Sequence, residues 1–388
     1  MTAPIKVCVL TSAHPAFDVR VFHKECKSLA RAGYDVTLVA PHGESLTVDG
    51  VTVKAVAPAR WRFERWFKTT AAVYRAAVAV DAEIYHFHDP ELIPVGLLLR
   101  ALGKKVIYDV HEDLPLTVSY KPYIPKWMQR PLSSLLAIME SLTVRQFSGL
   151  IAATPEIAAR FAGHPNVCVV QNYPMREEFP EEFPGEMKTV HGDYIVYVGL
   201  RITRARGAEE MVRAMELLPG NIPIRLKLAG TIEPPDLQQR LEAMPGWQST
   251  EYLGALGRAG VSKLIQNAMV GLVVLHPEPN YVSSHPVKLF EYMCAGIPVI
   301  ASDFPGFRAI IEQAKCGILV DPFSAKEVAD AIEFLYTHPE EAPAMGARGR
   351  LAVSSRYNWQ HEEQSLLGMY NRLRHVAESY EQFRSELT

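Results

Sequence analysis

The stretch that most constrains the fold is residues 285–306, which read HPVKLFEYMCAGIPVIASDFPG. Proline's fixed φ angle and missing N–H suit the first position of a helix, so Pro286 is predicted to open one. Apolar side chains recur at helical spacing over 289–293 and predict a buried face. Gly296 is placed as a C-terminal capping residue, and the apolar run 297–301 after it indicates a buried strand. A helix followed by such a strand is typical of an α/β unit.

Two charged residues, Lys288 and Glu291, lie three apart in the first turns of this helix, on neighbouring parts of one face. The N-terminal amides and the helix dipole favour an anion, and Lys288 adds positive charge. Glu291 can accept hydrogen bonds from sugar hydroxyls. The pair therefore suits the phosphate and ribose of a nucleotide, although the spacing alone fits a surface Lys–Glu pair equally well.

Length and composition indicate a two-domain globular protein. The chain has 388 residues, 48% of them hydrophobic and 21% charged, and a formal net charge of −3 that gives no overall attraction to nucleic acid. Five scattered cysteines indicate neither a disulfide framework nor a zinc module. The start of the chain runs into a strand rather than a signal peptide, and no apolar stretch approaches the roughly 20 residues that span a bilayer. A cytoplasmic protein is expected.

Short apolar runs alternate with amphipathic segments in both halves, which predicts parallel sheets with helices on both faces. Strands are predicted at 5–10, 36–39, 51–56, 84–87, 106–108, 150–153, 167–170, 194–198, 224–229, 251–253, 270–275, 298–301 and 317–320. The proline-rich acidic segment 171–193 breaks the rhythm and is interpreted as an interdomain linker. Two doubly wound domains are therefore expected, with a ligand at the carboxyl ends of their strands.

The motif P-x-K-L-F-E-Y-M-x-A-G-x-P-V-I-A-S, which starts at Pro286, resembles the donor-binding segment of retaining glycosyltransferases of family 4. The resemblance covers nearly the whole chain and implies the GT-B fold, in which two Rossmann-like domains face a central cleft. The parts that it implies are an acceptor-side domain over 1–175, a linker over 176–193, a donor-binding domain over 194–356, and a helix over 357–388 that crosses back onto the first domain.

Within this segment the family usually carries two glutamates eight positions apart. Glu291 matches the second, which binds the ribose of the nucleotide, whereas Ser283 stands in the place of the first. This departure puts the usual contact between the first glutamate and the donor sugar in question. The backbone amides from Ser284 to Val287 and the ammonium of Lys288 are expected to stabilise the donor diphosphate.

A turn with three arginines follows the predicted strand 194–198. Arginine's planar fork of donors suits phosphate, and a helix opens behind the turn at Gly207. The resemblance implies that Arg206 grips the donor diphosphate, with Arg201 or Arg204 as a second cation. A solvated basic turn is the alternative.

The segment DVHEDLP, residues 109–115, follows the predicted strand 106–108 and so lies where active sites collect in such sheets. The resemblance places here a histidine that faces the donor sugar, and His111 is the candidate. Glu112 and Asp113 are expected to orient it or to contact the acceptor. A purely structural histidine is the alternative.

The segment HFHDPELIP, residues 86–94, ends another predicted strand. His86 and His88 share a face, and together with His111 and Asp113 they raise the alternative of a zinc hydrolase. No third ligand at convincing spacing supports a metal site, so none is predicted. Asp89 is expected to cap the helix that follows.

The resemblance implies that the loop after the first strand, residues 11–25, lies beneath the diphosphate or against the acceptor. Asp18 is predicted to cap the following helix, and Arg20 is a candidate contact to phosphate or acceptor. The usual glycine-rich form of this loop is absent.

Two segments of the first half, 59–76 and 120–130, mix aromatic and basic residues. This composition suits the headgroup region of an anionic membrane and predicts peripheral docking on its inner face. Aromatic packing beneath the domain, with solvated arginines, explains it equally well.

The expected function is retaining transfer of a sugar from a nucleoside-diphosphate sugar to a glycan or polyprenyl-linked acceptor in cell-surface polysaccharide synthesis. No metal or other cofactor is expected, because no D-x-D triplet occurs and cations of the chain face the diphosphate. A front-face mechanism is implied by the resemblance. The alternatives are a sugar-nucleotide 2-epimerase of the same architecture, which would turn over without an acceptor, and a noncatalytic nucleotide-sugar-binding subunit.

Overall fold

The computed structural model describes residues 3–61, 64–119, 124–179, 193–282 and 284–386, with side chains as far as Arg374. The chain divides into two compact units, one of residues 1–172 and 359–388 and the other of residues 173–358. Most of the segment predicted as a linker, residues 180–192, lies outside the described residues. Just before it, Tyr173 and Phe179 are buried in the core of the second unit.

The described part of the first unit contains one sheet. Its strands are β1 (Lys6–Leu10), β2 (Asp35–Pro41), β3 (Leu46–Val48), β4 (Val51–Val56), β5 (Ile84–Phe87), β6 (Lys105–Val110), β7 (Gly149–Ala152) and β8 (Val167–Val169). They run in the order β3-β4-β2-β1-β5-β6-β7-β8, parallel except for the β3–β4 hairpin. The order reverses between β1 and β5, and the carboxyl ends of these two strands form the switch point at which doubly wound sheets bind ligands.

Helices cover this sheet. They are Val19–Cys26 continuing as Lys27–Arg31, Arg65–Thr69 continuing as Thr70–Val80, Pro90–Leu92 continuing as Ile93–Ala101, Leu114–Val118, Lys126–Val144, Pro155–Ala159 and Trp359–Glu386. The last of these crosses back onto the first unit, as expected: the Trp359 indole donates to Ser28 Oγ at 3.0 Å, and the Tyr370 hydroxyl lies 2.9 Å from His86 Nδ1.

The second unit is built on strands β9 (Tyr194–Ile202), β10 (Arg225–Ile232), β11 (Thr250–Gly254), β12 (Val270–Val273), β13 (Val299–Ser302) and β14 (Gly317–Val320). All pairs are parallel, and the order is β11-β10-β9-β12-β13-β14. This is the doubly wound order 3-2-1-4-5-6, whose switch point lies between β9 and β12. The prediction of two parallel-sheet α/β domains is confirmed.

The helices of the second unit are Arg176–Glu178, Arg204–Arg206, Ala208–Leu217, Pro235–Glu242, Pro245–Ser249, Arg258–Gln266, Pro279–Val282, Val287–Ala295, Pro305–Ala314, Ala325–Thr337 and Glu341–Ser355. Pro286 caps the motif helix instead of occupying its first turn, and Gly296 ends it at φ 73°, as predicted. A Cβ on Gly271 of β12 would lie 2.3 Å from the Tyr292 ring, so glycine is needed for the helix to pack this closely on the strand.

The helices Pro305–Ala314 and Glu341–Ser355 were not predicted, and two further elements depart from the predictions. The hairpin strand β3 was not predicted, because three half-exposed residues at a sheet edge carry too short a pattern. The long helix Lys126–Val144 was not predicted either, since Pro131 within it argues against a helix interior.

Candidate active site

The arginine-rich turn lies at the switch point of the second unit, at the carboxyl ends of β9 and β12. Arg204–Arg206 forms a single helical turn, and Gly207, at φ 70°, leads into the helix Ala208–Leu217. A Cβ on Gly207 would lie 2.2 Å from the carbonyl oxygen of Val274, just after β12. The left-handed conformation and this close approach both require glycine.

Lys288 is the most unusual charged group of this region. The residue is 8% exposed, its Nζ lies 3.5 Å from the centroid of the Tyr197 ring, and Nζ has no hydrogen-bond partner among the described residues. Burial, and then the charge of Arg206, hold the pKa of Lys288 well below its ordinary value. A buried amine with no acceptor indicates a place for an anion, because burial of an unpaired polar group is otherwise costly.

Arg206 adds a second cationic group beside Lys288. Its Nε donates to the Tyr281 hydroxyl at 3.3 Å, and its guanidinium lies 5.7 Å from the centroid of the same ring. No ion pair of Arg206 with a carboxylate occurs within the part of the chain that the structure describes. The structure thus brings together two predicted site residues, Arg206 and Lys288, with two tyrosines that the sequence analysis did not identify.

Glu291 is buried one turn further along the motif helix and is paired with a cation. Its Oε1 lies 2.5 Å from Nη1 of Arg258, and Arg258 also pairs with Glu178. Arg258 holds the carboxylate in one orientation, because two acidic partners fix its guanidinium. The sequence analysis missed Arg258: it stands at the start of a helix remote from the motif, and no local pattern marks it.

The remaining residues predicted at the donor site are placed less centrally. Arg201, which is exposed, pairs with Glu233, and Arg204, which is half-buried, pairs with Asp236 and Glu209. Ser284 donates from its amide and from Oγ to the Tyr281 carbonyl, and Val287 is the first residue of the motif helix. Ser283, the residue in place of the first family glutamate, lies outside the described residues.

At the switch point of the first unit, His111 follows β6. Its Nε2 lies 3.1 Å from His88 Nδ1 and 3.3 Å from Asp109 Oδ2, and its side chain is 19% exposed. The expectation that Glu112 or Asp113 orients this ring is wrong. Asp113 caps the helix Leu114–Val118 through the amide of Leu116 and pairs with Arg160, and Glu112 is exposed. Asp109, itself part of the quoted motif, holds the ring.

Asp18 caps the first helix as predicted, because its Oδ1 accepts from the amides of Arg20 and Val21. The guanidinium of Arg20, however, is 5% exposed and is committed to Asp109 at 2.9 Å, Glu25 at 2.9 Å and the carbonyl of Val170 at 2.8 Å. The predicted contact of Arg20 with phosphate or acceptor is therefore not supported, since all its donors point into the protein.

Asp89 does not cap the helix that follows it, which corrects another expectation. Its Oδ2 accepts from the Thr11 hydroxyl at 2.7 Å and the Ser12 amide at 2.6 Å, and its Oδ1 lies 3.1 Å from His14 Nδ1. Burial alone would raise the pKa of Asp89, but His14 and these donors hold it well below its ordinary value. The carboxylate thus ties the loop after β1 to the end of β5. His14, whose ring lies 5.3 Å from that of His111, is a further candidate that the sequence analysis missed.

The two segments predicted to dock on a membrane are described in part, since Arg62, Phe63 and residues 120–123 lie outside the described residues. Trp61, Trp66, Phe67 and Trp127 are all more than half exposed. Along the helix Lys126–Val144, the apolar side chains of Leu135, Ile138, Met139 and Leu142 are exposed on the same stripe as Trp127. Among the described helices, none is both long and apolar enough to span a membrane.

Comparison with known families gives two matches, one within each unit. Residues 19–172 match the model described as glycosyl transferase 4-like domain, and residues 179–352 match the model of glycosyl transferases group 1. Among curated proteins, the chain is 26% identical over 190 residues to alpha-D-kanosaminyltransferase of Streptomyces kanamyceticus, covering 46% of this chain and 45% of the relative. It is 24% identical over 321 residues to phosphatidyl-myo-inositol mannosyltransferase of Mycobacterium leprae, and this alignment covers 77% of this chain and 75% of the relative. The first alignment thus spans less than half the relative's length.

Solved structures of similar fold cover almost the whole chain. Sucrose-phosphate synthase from Thermosynechococcus elongatus superimposes with a TM-score of 0.75 at 18% identity, over 96% of this chain and 100% of that one. The Anabaena protein HepE, in a structure with UDP and glucose, superimposes with a TM-score of 0.69 at 14% identity. The superposition covers 95% of this chain and 100% of that one. These likenesses concern the fold. Taken with the two family models, they identify the chain as a GT-B glycosyltransferase of the group 1, family 4-like type.

Proposed function

We propose that this protein transfers a sugar from a nucleoside-diphosphate sugar to a glycan or lipid-linked glycan, with retention at the anomeric carbon. The observation that carries the proposal is the buried amine of Lys288, without a hydrogen-bond partner among the described residues, beside Arg206 at the switch point of the second unit. A diphosphate placed there supplies the missing acceptor. That UDP and glucose are bound in a structure of the same fold, HepE, makes UDP the first nucleotide to test.

In this mechanism the main catalytic effect is stabilisation of the leaving diphosphate. Negative charge develops on the diphosphate as the glycosidic bond breaks, and Lys288 and Arg206 are already in place to neutralise it without reorganisation. We expect no metal at the diphosphate, since two cationic side chains occupy that role. The leaving phosphate then takes the proton of the acceptor hydroxyl on the same face of the sugar, which retains the anomeric configuration.

We assign the ribose hydroxyls to Glu291, which Arg258 holds in place through its Oε1. In the first unit, we assign contact with the transferred sugar to His111, which Asp109 and His88 orient. The exposed apolar stripe of the helix Lys126–Val144, with Lys126 and Arg130 at its start, supports an acceptor carried on an anionic membrane surface. Cell-surface polysaccharide synthesis is the process that we propose for such an acceptor.

The experiment that tests the donor site is calorimetric titration of the full-length protein with UDP, GDP, ADP and dTDP, each with Mg²⁺ and with EDTA. We expect one base to bind, equally well with either addition. Arg206→Ala and Glu291→Ala should each weaken that binding by about 10- to 100-fold, since each removes a hydrogen bond that involves a charged group. Arg204→Gln is the matched control, because Arg204 is already paired with Asp236 and Glu209.

Unchanged binding in both variants would refute the donor site. If a nucleotide binds, donor sugars should be turned over only with an acceptor, and the anomeric configuration of the product is then read by NMR. Turnover of the donor alone into its 2-epimer would contradict the transferase, and binding with no turnover on any acceptor would favour a noncatalytic subunit.

Membrane docking is tested separately by flotation with vesicles that contain anionic lipid. We expect the protein to float and the double variant Trp66→Ser, Trp127→Ser to remain in the heavy fraction. A wild-type protein that stays in the heavy fraction would remove this part of the proposal.

A further inference from the structure

A group of buried side chains behind His111 has no role in the donor chemistry. It comprises His86 and His88 at the end of β5, Glu25 of the helix Val19–Cys26, and Asp109 of β6. All four are buried, His88 at 2% exposure and the others at 0%. One ligand atom from each lies within 4.8 Å of all the others. The sequence analysis rejected a metal site for want of a third ligand, and the fold supplies two from remote parts of the chain.

The atoms that face the centre of this group lack hydrogen bonds. Glu25 Oε2 and the Nε2 atoms of His86 and His88 are buried without hydrogen-bond partners among the described residues, whereas Glu25 Oε1 pairs with Arg20. Glu25 Oε2 lies 3.9 Å from Nε2 of His86 and 3.6 Å from Nε2 of His88, and both distances exceed hydrogen-bond length. Three polar groups thus converge on one point without bonding to one another.

The other nitrogen of each ring is held by a second partner. His86 Nδ1 lies 2.9 Å from the Tyr370 hydroxyl, and His88 Nδ1 lies 3.1 Å from His111 Nε2. This is the arrangement of metal-binding histidines, in which an outer partner fixes the ring and leaves the inner nitrogen for the ion.

The spacing of the facing atoms discriminates between a metal ion and a water molecule. Tetrahedral ligands about 2.1 Å from Zn²⁺ lie about 3.4 Å apart, whereas four partners about 2.8 Å from a water lie about 4.6 Å apart. The distances between Glu25 and the two histidines, and the 3.6 Å between His86 Nε2 and Asp109 Oδ2, are closer to the metal value. Arg20 pairs with both carboxylates but offsets only one charge, so one negative charge remains when both are ionised.

We propose that Glu25, His86, His88 and Asp109 bind a divalent transition-metal ion in the interior of the first unit, and that Zn²⁺ is the ion that best suits two imidazoles and two carboxylates. The ion does not touch the donor diphosphate, and its presence is tested without nucleotide or turnover; only its effect on His111 rests on the proposed function. With the ion on Nε2, His88 keeps its proton on Nδ1 and donates it to His111. The metal thereby positions His111.

The test is the metal content of the full-length protein, expressed with Zn²⁺ and purified on a tag without histidine. Mass spectrometry of the metal should find about one Zn²⁺ per chain, and X-ray absorption should find only nitrogen and oxygen ligands. Co²⁺ in place of Zn²⁺ should give the visible spectrum of a four-coordinate ion. Absence of stoichiometric metal in the folded wild-type protein would overturn the proposal, and so would sulfur ligation.

Variants locate the ion. Glu25→Gln should reduce the metal content at least tenfold, and Tyr370→Phe should weaken the affinity about 10-fold, because it removes the outer partner of His86. Glu140→Gln is the matched control, since Glu140 is another buried glutamate of the first unit that pairs with an arginine, Arg160. If Glu25→Gln does not fold, the spectra of the wild-type protein and the metal affinity of Tyr370→Phe decide whether these residues bind the ion. An affinity for Zn²⁺ that is equal in Tyr370→Phe, Glu140→Gln and wild type, measured by competition with a chelator, would refute the assigned ligands.

Discussion

The two units place charged side chains at equivalent points of similar sheets but treat them in opposite ways. In the second unit, Lys288 and Arg206 at the switch point have no carboxylate partner in the described structure. In the first unit, Arg20 is saturated by Asp109 and Glu25, and Asp89 by His14 and the loop after β1. A cationic side chain that has no carboxylate partner inside the protein indicates a site for an anion. A paired one stabilises the fold and positions its neighbours.

The largest effect should come from breaking the internal pairs of the first unit. Arg20→Met leaves Asp109 and Glu25 buried without their cation, and we expect a loss of about 3–5 kcal/mol in the free energy of unfolding. Urea denaturation followed by circular dichroism measures it. Arg31→Met is the control, because the ion pair of Arg31 with Glu363 is exposed and should contribute less than about 1 kcal/mol. Equal losses of stability in Arg20→Met and Arg31→Met would contradict the view that the buried pairs of Arg20 stabilise the fold.

The same substitution in the second unit should act in the opposite direction on stability. Lys288→Met replaces a buried amine that has no acceptor in the described structure, so the free energy of unfolding should rise by about 1–3 kcal/mol. Affinity for the nucleoside diphosphate should fall by about 10- to 100-fold. Denaturation measures the change in the free energy of unfolding, and calorimetric titration of the same preparation measures the change in affinity. A destabilised variant would mean that Lys288 is already paired in the free protein.

The pH dependence of nucleotide binding sharpens this point. The pKa of Lys288 is depressed in the free protein, and a bound diphosphate should raise it by supplying negative charge. Between the free and bound pKa values, binding therefore takes up a proton, and affinity should fall by up to about tenfold per unit as the pH rises. Titration across the pH range in which the affinity falls, in buffers of different ionisation enthalpy, counts the proton. Lys288→Met should abolish the uptake, and uptake that persists in this variant would assign it to another group.

The smallest effects are expected at the other two arginines of the donor turn. Arg201→Gln and Arg204→Gln remove surface ion pairs with Glu233 and Asp236, so stability should change by less than about 1 kcal/mol. Nucleotide affinity should change by less than about fivefold, because both side chains are engaged away from Lys288. A loss as large as that of Arg206→Ala would show that one of them turns inward when the donor binds.

Much of the architecture was predictable because parallel sheets have a strong local signal. Strands β4, β5 and β14 occur within the predicted bounds, since each is a short apolar run between turns. The capping roles of Gly296 and Asp18 were predictable for the same reason, as each depends on neighbours within a few residues. The helix around Pro131 was not predicted, because a proline in a helix interior is unfavourable locally and only tertiary packing allows it there.

The sequence by itself determined the two doubly wound units, the motif that carries Lys288 and Glu291, and the arginine-rich turn that carries Arg206. These depend on hydrophobic periodicity and on contacts close along the chain. Only the tertiary structure decided which charges are paired: Arg258 with Glu291, and Arg20 with Asp109 and Glu25 instead of a ligand. Such partners come from distant segments, and whether a buried charge is free or neutralised depends on the few ångströms between them.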